Sequence, residues 1–268
     1  MDIVNKWIEG FENSETNGKV RLAPPLPAPM RFIDGGSQII FSAGHSTLGF
    51  IRIASVEFQG KERTQQKISE GLVLVKKNSS KYAIESENLK LHEEIDASDA
   101  ESAFNEARRL LELKEALKPF QGITVLDGEA RARNKKESEI LKGLKRVIGF
   151  CKTSEDAETM SFASGNGAWY SGDGVQGYVK LHPKSERIFK IQFHEANLHD
   201  LESLQLHNDP AFLGYPYGLV VADQLARVSN EETSVMRIRA EIEAKDKKRF
   251  AKVKGARDAH SILDSARF

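Results

Sequence analysis

Two stretches of the chain share one grammar. Arg31-Phe32-Ile33-Asp34-Gly35-Gly36-Ser37 and Ile123-Thr124-Val125-Leu126-Asp127-Gly128-Glu129 each run a short apolar strand into an aspartate and then into glycine. Glycine permits a sharp turn without a Cβ penalty and leaves room for a ligand or phosphate near the backbone. The expectation is a carboxylate at each strand end. Taken alone, Asp34 has a plainer reading as a turn initiator. Two such strand ends side by side bring two carboxylates together, which is the arrangement a hard divalent cation needs.

Further acids are placed by the elements between and after these strands. A helix begins near Ser98 or Asp99, either of which suits an N-cap, and ends near Lys118-Pro119. Its apolar stripe is Ala100, Phe104, Ala107, Leu110, Leu111 and Leu117. At 100° per residue Glu106 falls at the margin of that stripe and Glu112 nearly opposite it. Glu106 is therefore the expected inward acid. Gly214-Tyr215-Pro216-Tyr217-Gly218 introduces a second helix, from about Leu219 to Val228, with Asp223 in its body. Asp223 either turns inward or stays exposed.

The cations follow a similar logic. Arg131, Arg133, Lys135, Lys136, Lys142, Lys145 and Arg146 sit among Ile140, Leu141, Leu144 and Val147, which reads as an amphipathic helix with a basic face. Such a face is either a solvated surface or a match for a phosphate backbone. Val147 to Thr153 returns to strand character and carries Lys152 near its end. Gly177 to His182 pairs as a hairpin with Arg187 to Phe193 across Pro183-Lys184-Ser185, so Tyr178 and Lys180 share a face. The glycines of Gly165-Asn166-Gly167 and Ser171-Gly172-Asp173-Gly174 mark turns, since no strand-glycine-helix order accompanies them.

The remainder of the chain frames these groups. At 268 residues with 40% hydrophobic content, it is long enough to bury a core. Its 39 basic and 39 acidic residues cancel, so any nucleic-acid surface must come from local segregation of charge. Cys151 is the one cysteine, which excludes an intrachain disulfide framework and a cysteine-built zinc site; it is expected to be a buried small hydrophobe. With no basic-then-apolar leader and no apolar run of about 18 residues, the expected location is cytoplasmic and no membrane partner is expected.

In order along the chain, residues 1–29 read as a short amphipathic helix and a lead-in stiffened by Pro24, Pro25, Pro27 and Pro29. Gln38 to Phe41, Thr47 to Phe58, Gly71 to Lys77 and Lys81 to Glu85 then read as an antiparallel meander hung on the Asp34 strand. Residues 231–268 form a charged helical tail. Nine basic residues face three acidic ones between Arg237 and Arg257. The fold class is α/β, with residues 30–230 as the central domain.

The ordered set resembles the NurA nucleases of DNA-end processing. The likeness rests on Phe32-Ile33-Asp34-Gly35-Gly36-Ser37, on Val125-Leu126-Asp127-Gly128 preceded by a helix with an inward glutamate, and on Gly149 to Ser154 with its Lys-Thr-Ser ending. Tyr178-Val179-Lys180-Leu181 and Gly214-Tyr215-Pro216-Tyr217 followed by a helix complete it. Together they span roughly residues 30 to 230.

The resemblance implies an RNase H-like mixed sheet flanked by helices that binds manganese, with magnesium as the alternative. It implies degradation of DNA in the 5′ to 3′ direction by a homodimer working with a HerA-type hexameric translocase. Asp34 and Asp127 match the two metal-binding aspartates, Glu106 the helical glutamate with Glu112 in reserve, and Tyr178 the active-site tyrosine. Where the family usually has a histidine, this chain has Asp223, which cannot act as an imidazole ligand or imidazolium acid. The second motif reads Asp-Gly-Glu where the family tends to Asp-Gly-Ser.

The expected function is a 5′–3′ exonuclease of double-strand-break end resection, with single-strand endonuclease activity alongside. Asp34, Glu106, Asp127 and Asp223 would form the metal cage, Tyr178 would donate to a phosphate oxygen or a metal-bound water, and Arg131, Arg133, Lys152 and Lys180 would meet DNA. Two rivals belong to other classes. One is a non-catalytic DNA- or translocase-binding subunit on the same fold; the other is a phosphohydrolase acting on small phosphoesters.

Overall fold

The computed structural model describes residues 19–43, 45–152, 167–185, 187–212 and 214–246, together with 248 and 251. The N-terminal helix expected over residues 1–10, the Gly165-Asn166 turn and most of the basic tail lie outside these residues. Among the described residues, eleven strands form one mixed sheet in the order β1-β9-β10-β11-β8-β7-β2-β3-β4-β5-β6. By number they are Val20–Arg21, Pro29–Ala43, Ser46–Gln59, Glu62–Asn78, Lys81–Ser86, Leu91–Ile95, Ile123–Asp127, Val147–Cys151, Trp169–Gly172, Gln176–Lys180 and Phe189–His194. The helices are α1 (Ala100–Ala116), α2 (Lys135–Leu141), α3 (Leu198–Leu204), α4 (Tyr217–Ala226) and α5 (Asn230–Glu243), with short 3-10 turns at Gln205–His207 and Pro210–Phe212.

The parallel centre makes the sheet mixed. β2 pairs with β7 in parallel, Phe32 beside Val125 and Ile33 beside Leu126. β7 pairs in parallel with β8, Leu126 beside Gly149 and Asp127 beside Phe150. Parallel neighbours need a crossover, and α1 and α2 lie in those connections. β8, β11, β10 and β9 then alternate antiparallel.

The chain divides into two compact units, each built from separate stretches. The first holds residues 1–34, 54–67 and 113–224. In it Phe32, Phe58 and His207 meet edge to face, with ring centroids 4.8 to 5.7 Å apart. The buried Arg31 donates to the carbonyls of Ala116 and Lys118 at 2.8 and 3.0 Å, and its guanidinium lies over the Phe120 ring. That cation satisfies carbonyls that the end of α1 leaves open.

The second unit holds residues 35–53, 68–112 and 225–268. There β4 and β5 pair antiparallel as expected, and β6, in a stretch not read as a strand from sequence, pairs antiparallel with β5. Arg52 ties it to α5, bonding Glu70 at 2.5 Å, Glu232 at 2.8 Å and the Arg227 carbonyl at 2.8 Å. Asp99 is the N-cap of α1, its carboxylate accepting from the Ser102 amide at 2.7 Å.

Several expectations are corrected here. β2 does not end at Asp34 but runs on through Gly35 and Gly36 to Ala43. The basic helix is only the seven residues of α2. Arg146 lies beyond it and is held by Asp200 at 2.6 Å, next to the capping box that starts α3. Leu117 is exposed, because α1 ends one residue earlier, and Cys151 is only half-buried at the end of β8. Glu112, expected to point away from the core, is buried at 4% exposure, whereas Glu106 is half-buried. From Arg109 to Leu113 every residue of α1 is buried, so this stretch packs on all sides and the single-stripe reading fails there.

Candidate metal centre

Three carboxylates converge in the first unit. Asp34 comes from β2, Asp127 from the last position of β7, and Asp223 from the body of α4. One oxygen from each lies within 4.8 Å of the others. The two aspartates meet because β2 and β7 are parallel and in register up to Ile33 and Leu126, so the next residues stand abreast. Asp34 is nearly buried, Asp127 is mostly covered, and Asp223 is half exposed at the mouth.

Lys152 supplies the counter-charge. It follows Cys151, the last residue of β8, at the same edge of the parallel sheet. Its Nζ lies 2.6 Å from Asp127 Oδ2, 2.8 Å from Asp223 Oδ1 and 4.0 Å from Asp34 Oδ2. Burial works against this ammonium, but its hydrogen bonds to Asp127 and Asp223 and the charges of Asp127 and Asp34 outweigh that and hold its pKa well above the ordinary lysine value.

Tyr215 completes the cluster. Its hydroxyl donates to Asp127 Oδ1 at 3.0 Å, and its ring packs edge-on against Phe150 with centroids 5.4 Å apart. Lys152 Nζ lies 5.5 Å from the centre of the same ring. Burial first, and the neighbouring Asp127 charge next, push the phenol pKa far up, so it stays a donor. Asp127 is thus held through both oxygens, by a phenol on one and an ammonium on the other.

Of the residues singled out from sequence, the structure brings together Asp34, Asp127, Asp223 and Lys152. Glu106 and Glu112 lie on the part of α1 that belongs to the second unit. Glu112 Oε1 stands 2.5 Å from where a Cβ on Gly35 would be, with the Arg108 and Arg109 guanidiniums 3.6 and 3.5 Å from its carboxylate. Tyr178 is half-buried on β10, level with Lys190 of β11, which is level with Cys151. That puts it two strands from β8, roughly 10 Å by strand spacing. Lys180 is buried, while Arg131 and Arg133 are exposed, Arg133 pairing with Glu129 at 3.3 Å.

Tyr215 is the residue that sequence reasoning did not place in the site. Its signal was the Tyr-Pro-Tyr sequence, read there as a helix start. A strongly buried tyrosine needs a partner for its hydroxyl, and an acid at a strand end supplies one.

A mixed sheet whose parallel centre presents acids at one edge, with helices packed on it, defines the RNase H-like class. No protein-family model matches the chain, and no curated protein matches it by sequence. By structure it is similar to the crystal structure of the NurA nuclease from Sulfolobus solfataricus, with TM-score 0.62 at 11% identity, covering 91% of this chain and 95% of that one. A second crystal structure of NurA gives TM-score 0.64 at 10% identity over 94% and 98%. NurA bound to dAMP and manganese gives 0.60 at 9% over 92% and 96%. The chain has a NurA-type fold.

Proposed function

We propose that this chain is a metal-dependent DNA nuclease whose cation sits among Asp34, Asp127 and Asp223. The observation that carries the reading is the convergence of these three acids on one point, where an ammonium group already stands. The donor set is all carboxylate oxygen, which suits manganese or magnesium and not a soft metal. Held by these three carboxylates, a divalent cation would supply charge neutralisation at the scissile phosphate and acidify water near neutral pH.

The chain's own groups have defined tasks in this reading. Tyr215 fixes the orientation of Asp127. Lys152, beside Asp127 and Asp223, would offset charge on a substrate phosphate. For the helical glutamate, Glu112 has more support than Glu106: its carboxylate lies against Gly35, the residue bonded to Asp34. Tyr215 likewise has more support than Tyr178 as the tyrosine of the site, through its contact with Asp127. Arg131 and Arg133 are exposed cations available to a phosphate backbone.

The finer reading rests on the resemblance. It comprises 5′ to 3′ exonuclease action, single-strand endonuclease action, a role in double-strand-break end resection, a homodimer, and a HerA-type translocase as partner. A solved NurA bound to dAMP and manganese supports the metal and the nucleotide product.

The experiment is cleavage of end-labelled single- and double-stranded DNA with manganese, magnesium or chelator, with Asp34→Ala and Asp127→Ala beside the parent. Manganese-dependent cleavage that both variants abolish is the expected result, and the end from which label is lost gives the polarity. Full cleavage by either variant sinks the assignment. One observation favours a second reading, a binding subunit: Lys152 offsets part of the carboxylate charge from within the cluster. DNA binding in chelator that weakens steeply with salt, without cleavage under any metal, would establish it instead.

A further inference from the structure

Successive side chains of a strand alternate, so Arg31 faces the side of β2 opposite Phe32 and Asp34. There it lines a cavity of about 350 Å³ in the first unit. Among the described residues, the cations lining this cavity are Arg31, Lys67 and Lys118, and the acids are Glu57 and Glu115. One positive charge is therefore in surplus, and the contacts show which. Arg31 is buried, bonded to the Ala116 and Lys118 carbonyls and attracted by the Glu57 and Glu115 carboxylates. Glu115 is buried in the last turn of α1, where Ser55 Oγ donates to it at 3.5 Å. The Lys118 ammonium bonds Glu115 Oε2 directly, whereas Lys67 Nζ stands 3.8 Å from Oε1. Lys67 is the surplus cation.

Two ammonium groups drawn to one carboxylate repel each other, and the one held closer keeps its proton. The Lys118 ammonium lies within hydrogen-bond reach of Lys67 and, ahead of the opposing pull of Glu115, lowers the Lys67 pKa below the ordinary lysine value. Lys118 shifts the other way: burial lowers its pKa, but its bond to Glu115 outweighs that. A lysine beside a second cation is a nucleophile at lower pH than a free one, because more of it is the neutral amine. The Lys67 side chain is 46% exposed, so an electrophile can reach it from the cavity.

We infer that Lys67 is an acylation site, reactive towards acyl phosphates, at which acylation removes the surplus charge of the cluster. The amine nitrogen bonds the acyl carbon, and the bond from that carbon to the phosphate oxygen breaks. Phosphate leaves with the electron pair, and the amine's proton passes to solvent. The amide left behind is neutral. Arg31 then faces Glu57, and Lys118 faces Glu115, one cation to one acid. A free anion held by the same lysines would instead meet Glu57 and Glu115 in the same cavity. Lys67 plays no part in the nuclease reading.

The full chain is treated with limiting acetyl phosphate in chelator from about pH 6 to pH 10, and acetylation of each lysine is read by mass spectrometry of its peptides. Lys67 is expected to react faster than Lys76 and Lys81, which are exposed on β4 and β5, and to reach half its maximal rate at a lower pH. Lys118→Met should slow acetylation of Lys67 roughly threefold or more and leave Lys76 and Lys81 unchanged. Lys118→Arg keeps the cation and should restore the rate at Lys67, which a merely steric role for Lys118 does not require.

Equal rates at Lys67, Lys76 and Lys81 would overturn the proposal. So would a Lys118→Met protein whose Lys67 reacts as fast as the parent's. Lys118 is 45% exposed, so its replacement is expected to fold, as the melting temperature will show. Should Lys118→Met fail to fold, the pH at which Lys67 of the parent reaches half its rate decides alone: a value no lower than that of Lys76 and Lys81 sinks the assignment. None of these readouts requires DNA cleavage, so failure of the nuclease reading leaves them standing.

Discussion

Asp34 and Asp127 enter the same cluster from adjacent parallel strands, and their chains part company one residue later. β7 ends at Asp127, and Gly128 follows with φ +108°, a conformation that an L side chain rarely adopts. A Cβ there would meet nothing within 4 Å. β2 instead continues, and its glycines serve proximity: a Cβ on Gly36 would strike the Ala226 carbonyl, and one on Gly35 would press on Glu112. One Asp-Gly pair uses glycine for its backbone freedom and the other for its small size.

The largest effect that sharpens this contrast is expected from Gly36→Ala. The obstacle is a backbone oxygen, which cannot swing aside, so the cost should be about 3 kcal/mol, at the upper end for overpacking. Gly128→Ala has open space and suffers only the strained φ, about 1–2 kcal/mol. Urea denaturation of the two variants checks the order. Equal losses would mean that both glycines answer to the same constraint and would break the comparison.

The strand of Asp34 differs from that of Asp127 in a second respect: it packs on a buried histidine. His207 lies between Phe32 and Phe58. Burial, then the charge of Lys61, lowers its pKa from 6.5 to about 4. Since the folded pKa lies below the unfolded one, the neutral ring is favoured by folding. That stability is fully present above pH 6.5 and is lost as pH falls toward 4, where the unfolded chain takes up the proton first. The loss should reach about 3 kcal/mol. Denaturation at pH 7 and pH 4 on the parent and on His207→Leu checks it, the variant being expected to lose less on acidification.

Much of this arrangement was legible in the sequence. The strand-Asp-Gly grammar, the helix that Asp99 caps and the pairing of β4 with β5 follow from local pattern, whereas β6, an acidic and polar stretch, was missed. The failures came where tertiary packing decides. Glu112 was read as outward because one apolar stripe was assumed for α1, but its C-terminal stretch is enclosed on every side. Gly35-Gly36 was read as a turn because a glycine pair does not reveal whether it serves freedom or proximity. The basic run was read as one long helix because amphipathic spacing persisted past Lys142, where the backbone leaves the helix and Arg146 goes to Asp200. Tyr215 was invisible as a site residue for another reason: its partner lies 88 positions away in the chain.

Tyr215 also bears on Asp127, whose Oδ1 accepts from its hydroxyl. Removing it therefore tests whether Asp127 needs an orienting partner. Tyr215→Phe keeps the ring packed on Phe150 and Phe189 and deletes one hydrogen bond to a charged acceptor, worth about 1.5 kcal/mol of stability. With one oxygen of Asp127 released, the carboxylate can rotate about Lys152, and manganese affinity should fall roughly tenfold, the lower end of what an outer hydrogen-bond partner contributes to a metal ligand. Manganese titration followed by melting temperature reads the affinity without recourse to cleavage. A Tyr215→Phe protein that binds manganese as tightly as the parent would mean that β7 and Lys152 alone orient Asp127. The two aspartates would then be equivalent ligands, differing only in how their strands continue.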